Sequence, residues 1–153
     1  LDIALLGSNY PLKEPNLITE TFARSPYKII VGYDHPWANR QSVSIEELRG
    51  QRFISQNESF VQHRALKKMA RLGHFRLNIV CQTDNVNILK ALVAENIGIS
   101  LQTAISINPD DHLHAIDIEA EDFPTFNMSI AYHARHYLTD KQQKVLDILR
   151  KSI

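Results

Sequence analysis

Cysteine is almost absent: Cys81 stands alone in 153 residues, so no internal disulfide is available. No second Cys or His lies around it at metal-ligand spacing, and a reducing cytoplasm is the expected setting. Neither sign of charge is in surplus, since 17 Lys plus Arg stand against 17 Asp plus Glu. A chain so balanced has no basic excess with which to neutralise a phosphate backbone, so it is not expected to hold DNA by itself. Glycine is scarce, at five residues, and neither G-x-G-x-x-G nor a P-loop occurs, so no nucleotide cofactor is expected. A G-x-S-x-G elbow is also missing, and Gly98-Ile99-Ser100 lies within an apolar run. The longest apolar stretches, such as Tyr27 to Tyr33 and Ile88 to Ala94, are far shorter than the roughly 20 residues that cross a bilayer, and they lack signal-peptide flanks.

What is present is a balanced globular composition, 44% hydrophobic and 22% charged, enough to bury one core or two small lobes. Seven short apolar or β-branched runs read as strands: Leu1–Leu6, Tyr27–Tyr33, Arg52–Ser55, Leu77–Cys81, Ile97–Leu101, Leu113–Ile118 and Met128–Tyr132. Helical patterns lie between several of them. Ser44-Ile45-Glu46-Glu47 reads as a capping box opening a short helix that Gly50 ends. Ser59-Phe60-Val61-Gln62 repeats the device ahead of a stripe of Val61, Ala65, Leu66, Met69, Ala70 and Leu72 that stops at Gly73. A third helix is expected from about Asp84 to Asn96, a residue that tolerates the left-handed backbone. A fourth starts with Thr139-Asp140-Lys141-Gln142 and presents Val145, Leu146, Ile148, Leu149 and Ile153.

Strands alternating with helices predict an α/β fold with a largely parallel sheet. Ser8 to Pro26 and Asn108 to Asp111 read as connectors, with residues 34–112 forming one lobe and residues 1–33 and 113–153 contributing to another. The chain opens directly on a strand without Met, which is expected of a cut through a larger protein.

The informative pattern is a strand, a short polar turn and a helix start, and it occurs twice. Gln56-Asn57-Glu58-Ser59-Phe60 follows one strand, and Gln82-Thr83-Asp84-Asn85 follows another. In open α/β sheets ligands settle beyond the carboxyl ends of strands, where helix N-termini offer unpaired amides and partial positive charge. These same residues could instead serve only as helix caps. Seven histidines, including His112, His114, His133 and His136, lack the partners of a tetrahedral set, so no metal is expected. Glu46-Glu47 and Asp110-Asp111 read as solvated surface, and Cys81 as an inert core residue.

Four segments in order resemble the effector-binding region of LysR-type transcriptional regulators. Leu1-Asp2-Ile3-Ala4-Leu5 is similar to a first-lobe strand, and Asp34-His35-Pro36-Trp37-Ala38 to the family's D-H-P-L-A turn. Residues 42–54, from Ser42-Val43-Ser44 to Phe53-Ile54, resemble V-S-L-x-D-L-x-G-x-P-F-I, and Leu92 to Leu101 resembles L-V-A-A-G-x-G-I-x-L. Asn96 replaces a glycine of that pattern, and Thr103 a frequent proline.

The resemblance implies a two-lobed fold of the type II periplasmic-binding-protein kind, with the first lobe incomplete and the winged helix-turn-helix outside this sequence. It implies sensing rather than catalysis. The effector-contacting candidates it carries over are Gly7, Ser8, Gln56, Asn57, Glu58, Ser59, Phe60, Thr83, Asp84, Asn85, Gln102 and Thr103. It further implies self-association to a dimer or tetramer, with a dimer using the helix from Ser59 to Gly73 and the strand Leu77–Cys81. Without Lys or Arg in either turn, a monocarboxylate, a zwitterion or a polar neutral metabolite suits the site better than a strongly charged dianion. The alternatives are a transport-type solute receptor, or an enzyme on the same architecture.

Overall fold

A computed structural model describes residues 3–134 and 138–152. Leu1, Asp2, Arg135, His136 and Ile153, which enter the sequence reading, lie outside the described residues.

The chain divides into two compact units, residues 1–25 with 125–153, and residues 26–124. Division falls at Ser25/Pro26 and Pro124/Thr125, where the sequence reading drew it at 33/34 and 112/113.

In the first unit β1 (Ala4–Ser8) pairs antiparallel with β8 (Thr125–His133), from Ala4 opposite Ala131 to Ser8 opposite Asn127. β8 is next to β2 (Leu17–Gly32), where the Thr21 and Ser129 hydroxyls meet at 3.1 Å. Helix α3 (Asp140–Lys151) starts with the expected capping box, in which Thr139 Oγ1 accepts from the Gln142 amide and Gln142 Oε1 from the Thr139 amide. Its buried residue is Leu146.

The second unit holds the βα units. β3 (Ser42–Ser44) runs parallel to β7 (Leu113–Glu119), and β4 (Arg52–Ser55) parallel to β5 (Asn78–Gln82). β6 (Ser100–Thr103) continues from Ile99, which bridges Phe53 of β4 in parallel fashion. Only β2 runs against the rest, antiparallel to both β6 and β7. Its near-continuous apolar residues Ile29, Ile30 and Val31 are fully buried, as expected for a strand covered on both faces. Helices α1 (Val61–Leu72) and α2 (Val86–Ala94) cover the sheet. Leu89 and Val93 of α2 pack on Ile30 and Ile54, with Cys81 beside them as a packing residue.

Three sequence expectations are corrected. Half of the supposed connector from Ser8 to Pro26 is strand, because Leu17 to Ser25 belongs to β2; Pro26 sits just before the first residue paired with β6, where no ladder amide is needed. The Ser44–Glu47 box is half formed: Glu47 accepts from the Ser44 amide at 2.8 Å, but only a 3-10 turn, Glu46–Leu48, follows. Gly50, expected to end the helix, follows that turn with a left-handed backbone at φ 78°. No box opens α1, whose N-cap is Phe60 and has no side-chain cap; Gln62 turns inward instead. α2 starts near Asp84 as expected, with Asn85 as its N-cap and Asn85 Oδ1 accepting from the Asn87 and Ile88 amides.

α1 stops at Gly73, its C-cap, as expected. Gly73 has φ −88°, and the left-handed residue is His74, at φ 52°. The Phe75 amide donates to the Ala70 carbonyl and the His74 amide to the Arg71 carbonyl, which is the Schellman arrangement. Glycine is required at position 73 for space: an added Cβ would lie 2.6 Å from both the Ile45 side chain and the Phe75 ring. Asn96, at φ 59°, adopts the left-handed conformation expected of it.

Candidate functional site

Strands β4, β5 and β6 run in one direction, so their carboxyl ends share one edge of the second unit. β2 runs the other way and contributes its Tyr27 end to the same edge, opposite Thr103. This topology gathers Gln56–Phe60, Thr83–Asn85, Gln102 and Thr103. Gly7 and Ser8 lie on β1 of the first unit, where Ser8 Oγ donates to the Tyr10 carbonyl at 2.6 Å.

Hydrogen bonds stitch the two turns to each other. The Thr83 amide donates to the Ser55 carbonyl at 2.9 Å, and the Asn57 amide to Asp84 Oδ1 at 3.2 Å. Gln82 Nε2 donates to the Gln56 carbonyl at 3.3 Å. Asp84 thus ties the turns together instead of capping α2. The Asn85 amide donates to Thr83 Oγ1 and Asn57 Oδ1 accepts from the Ser59 amide, so both turns are locked from within. With Asn85 also holding two amides of α2, that helix start has less to offer an anion than the sequence suggested.

Beneath the turns lies a buried polar layer that sequence reasoning missed. Gln62 accepts from the Gln56 amide at 3.2 Å and donates to the Leu101 carbonyl at 2.8 Å, which fixes the ends of β4 and β6 to α1. His63 Nδ1 lies 2.9 Å from Ser55 Oγ, and Ser55 Oγ donates to the Gln56 carbonyl at 2.8 Å. Ser55 Oγ also lies 3.5 Å from Gln62 Oε1, so its one proton has three acceptors within reach. The other nitrogen of the His63 ring is Nε2. That atom and Gln102 Nε2 are buried without a hydrogen-bond partner among the described residues. Such groups cost about 1–3 kcal/mol each when unmatched, which makes them places where a ligand atom is worth most. Tyr27 completes the edge: packed edge-on against Phe123 at 5.9 Å, its phenol is pushed above the ordinary value by burial and stays protonated across the physiological range. The signal for this layer was the run Gln62-His63 on the buried side of an amphipathic helix.

Among the described residues no three His, Cys, Asp or Glu side chains come together as metal ligands. No helix among them is long and apolar enough to cross a membrane.

The whole chain, residues 1–153, matches the family described as the LysR substrate binding domain. It is 28% identical over 151 residues to the malolactic fermentation system transcriptional activator of Lactococcus lactis, covering 98% of this chain and 52% of that protein. A probable RuBisCO transcriptional regulator of Phaeodactylum tricornutum is 26% identical over 122 residues, 77% of this chain and 40% of its own. The chain thus spans about half the length of the first of these relatives. Among solved structures, the regulatory domain of CcmR from Synechocystis PCC6803, in complex with 2-PG, superposes with a TM-score of 0.80 at 22% identity, over 97% of this chain and 72% of that one. The effector binding domain of QuiR, in complex with shikimate, gives 0.77 at 18% identity, over 98% and 70%.

Proposed function

The chain belongs to the LysR substrate binding domain family, and from that premise we propose that it senses a small metabolite at the strand-end edge of its second unit, within a regulator whose DNA contacts lie in another domain. The observation that carries this is the pair of buried, unmatched atoms, Gln102 Nε2 and His63 Nε2, in a unit where the turns themselves are already tied off by protein. An effector offering an acceptor to Gln102 would satisfy a donor that the fold leaves open. The complexes of the two structural relatives with 2-PG and with shikimate support a small-molecule ligand. Gly7 and Ser8 enter this reading through the family resemblance. Catalysis has no part in it; binding shifts the population of conformations that the regulator adopts.

A thermal-shift screen of this chain against small organic acids, amino acids, shikimate and 2-PG tests the site. A true effector raises Tm in a concentration-dependent way. Gln102→Leu, similar in shape but without the donor, loses that response while keeping its own unliganded Tm or gaining on it. Undiminished ligand stabilisation in Gln102→Leu would place the effector elsewhere.

Self-association is the second part of the proposal. β5 borders its sheet on one side only and carries exposed Val80, the kind of open edge that second copies cover. Sedimentation of the chain at high concentration should show dimer, and Val80→Lys should shift it to monomer; a chain that stays monomeric throughout refutes this assignment.

A further inference from the structure

Away from the strand-end edge, the turn after α1 forms one wall of a solvent-open cavity of about 700 Å³ lined by Arg49, Ala70, Arg71, His74, Phe75 and Arg76. Three arginines and a histidine among the six residues lining one cavity are unexpected in a chain whose net charge is zero. They cannot be put down to general basicity. Two of the described arginines are held by acids, Arg40 by Glu47 and Arg150 by Glu20. Arg49, Arg71 and Arg76, like Arg24, Arg52 and Arg64, have no carboxylate within ion-pair distance among the described residues. Like charges brought together without a counter-charge repel, and a dianion between them removes that cost.

The wall is also held in place. Arg49 donates to the Gly73 carbonyl at 3.0 Å and its guanidinium lies 5.9 Å from the centre of the Phe75 ring, so its position is fixed from two directions. The Schellman bonds and the steric seal at Gly73 fix the backbone of the turn. His74 takes a left-handed backbone that glycine adopts more cheaply, and it lines the cavity. The volume falls within the range of small-molecule sites.

We propose that this cavity is a second binding site, distinct from the effector edge, for a phosphate-bearing small anion. Guanidinium forks match phosphoryl oxygens in pairs, and three of them suit a multiply charged group better than a monocarboxylate.

The probe is inorganic pyrophosphate, titrated into the chain while amide and arginine side-chain NMR signals and Tm are followed, with sodium chloride at matched ionic strength as control. Saturable shifts are expected at Arg49, Gly73, His74 and Phe75, with a rise in Tm that chloride does not reproduce. Arg71→Gln with Arg76→Gln should weaken binding at least tenfold. Both positions are exposed, so the fold should persist, as circular dichroism would verify. Arg71→Lys with Arg76→Lys, which keeps charge but removes the forks, should fall between. Gln102→Leu should bind pyrophosphate like the wild type. The proposal is overturned if the double glutamine variant binds equally well, if chloride produces the same shifts, or if a short DNA duplex engages the same arginines more tightly than pyrophosphate does.

Discussion

Gln62 separates two accounts of how α1 begins. Were Ser59 and Gln62 a capping box, Ser59→Ala would cost about 1 kcal/mol, and Gln62 would be a surface residue of modest value. In the structure Ser59 Oγ makes no hydrogen bond among the described residues, and Gln62 is 6% exposed with a partner on each end of its amide. Gln62→Met keeps the length and removes both polar ends. The Gln56 amide then loses its acceptor and the Leu101 carbonyl a donor, at about 1–3 kcal/mol for each group left unmatched in the interior. Burying a thioether in place of an amide recovers part of this, so the net loss should be about 2–3 kcal/mol. That is a large fraction of the stability of a small domain. Urea unfolding monitored by circular dichroism measures it as a lower midpoint at unchanged slope. Ser59→Ala should stay within about 0.5 kcal/mol of the wild type by the same assay, as surface substitutions do. A loss below about 0.5 kcal/mol for Gln62→Met, or the reverse order of the two variants, would refute the reasoning.

The ion pair between Lys90 and Asp111, 2.7 Å apart, gives a pH signature. The Lys90 ammonium, and after it the Asn108 amide, hold the Asp111 carboxyl below its ordinary value. A depressed carboxyl stabilises the fold above its unfolded pKa and ceases to do so as pH falls through the folded one. Asp111→Asn should therefore cost about 1 kcal/mol at pH 7, after allowance for solvent screening, and the gap to wild type should close below about pH 4. A gap that stays constant from pH 7 to pH 3 counts against it. At the end of α1, His74→Gly should raise Tm, since the left-handed backbone costs histidine about 1 kcal/mol. Gly73→Ala should lower it by about 1–3 kcal/mol in stability through overpacking against Ile45 and Phe75. If Gly73 rather than His74 were the left-handed terminus, His74→Gly would bring no gain.

What the sequence made legible and what it hid divide by the distance over which each residue finds its partners. Asn96 and the Thr139–Gln142 box were readable because their partners lie within a turn or two of chain. The edge at the ends of β4, β5 and β6 was readable too, because the alternation of strands and helices sets the strand direction without reference to any single contact. β2 was half hidden: Leu17 to Ser25 mixes threonine, glutamate and arginine between prolines, and its role depends on pairing with β8 more than a hundred residues away, as between Thr21 and Ser129. Gln62 was misread for the same reason. A local pattern offered a cap three residues back, while the donor and acceptor it serves lie 6 and 39 residues away. The turn residues at the edge are largely occupied with one another, so exchanging Asn57 or Asp84 should loosen the turns more than redirect what they bind. The unmatched polar atoms belong to His63 and Gln102, on the inner side of an amphipathic helix and at the end of a central strand. Selectivity for an effector should therefore follow these two buried side chains, whose chemistry can change without altering the local patterns that specify the fold.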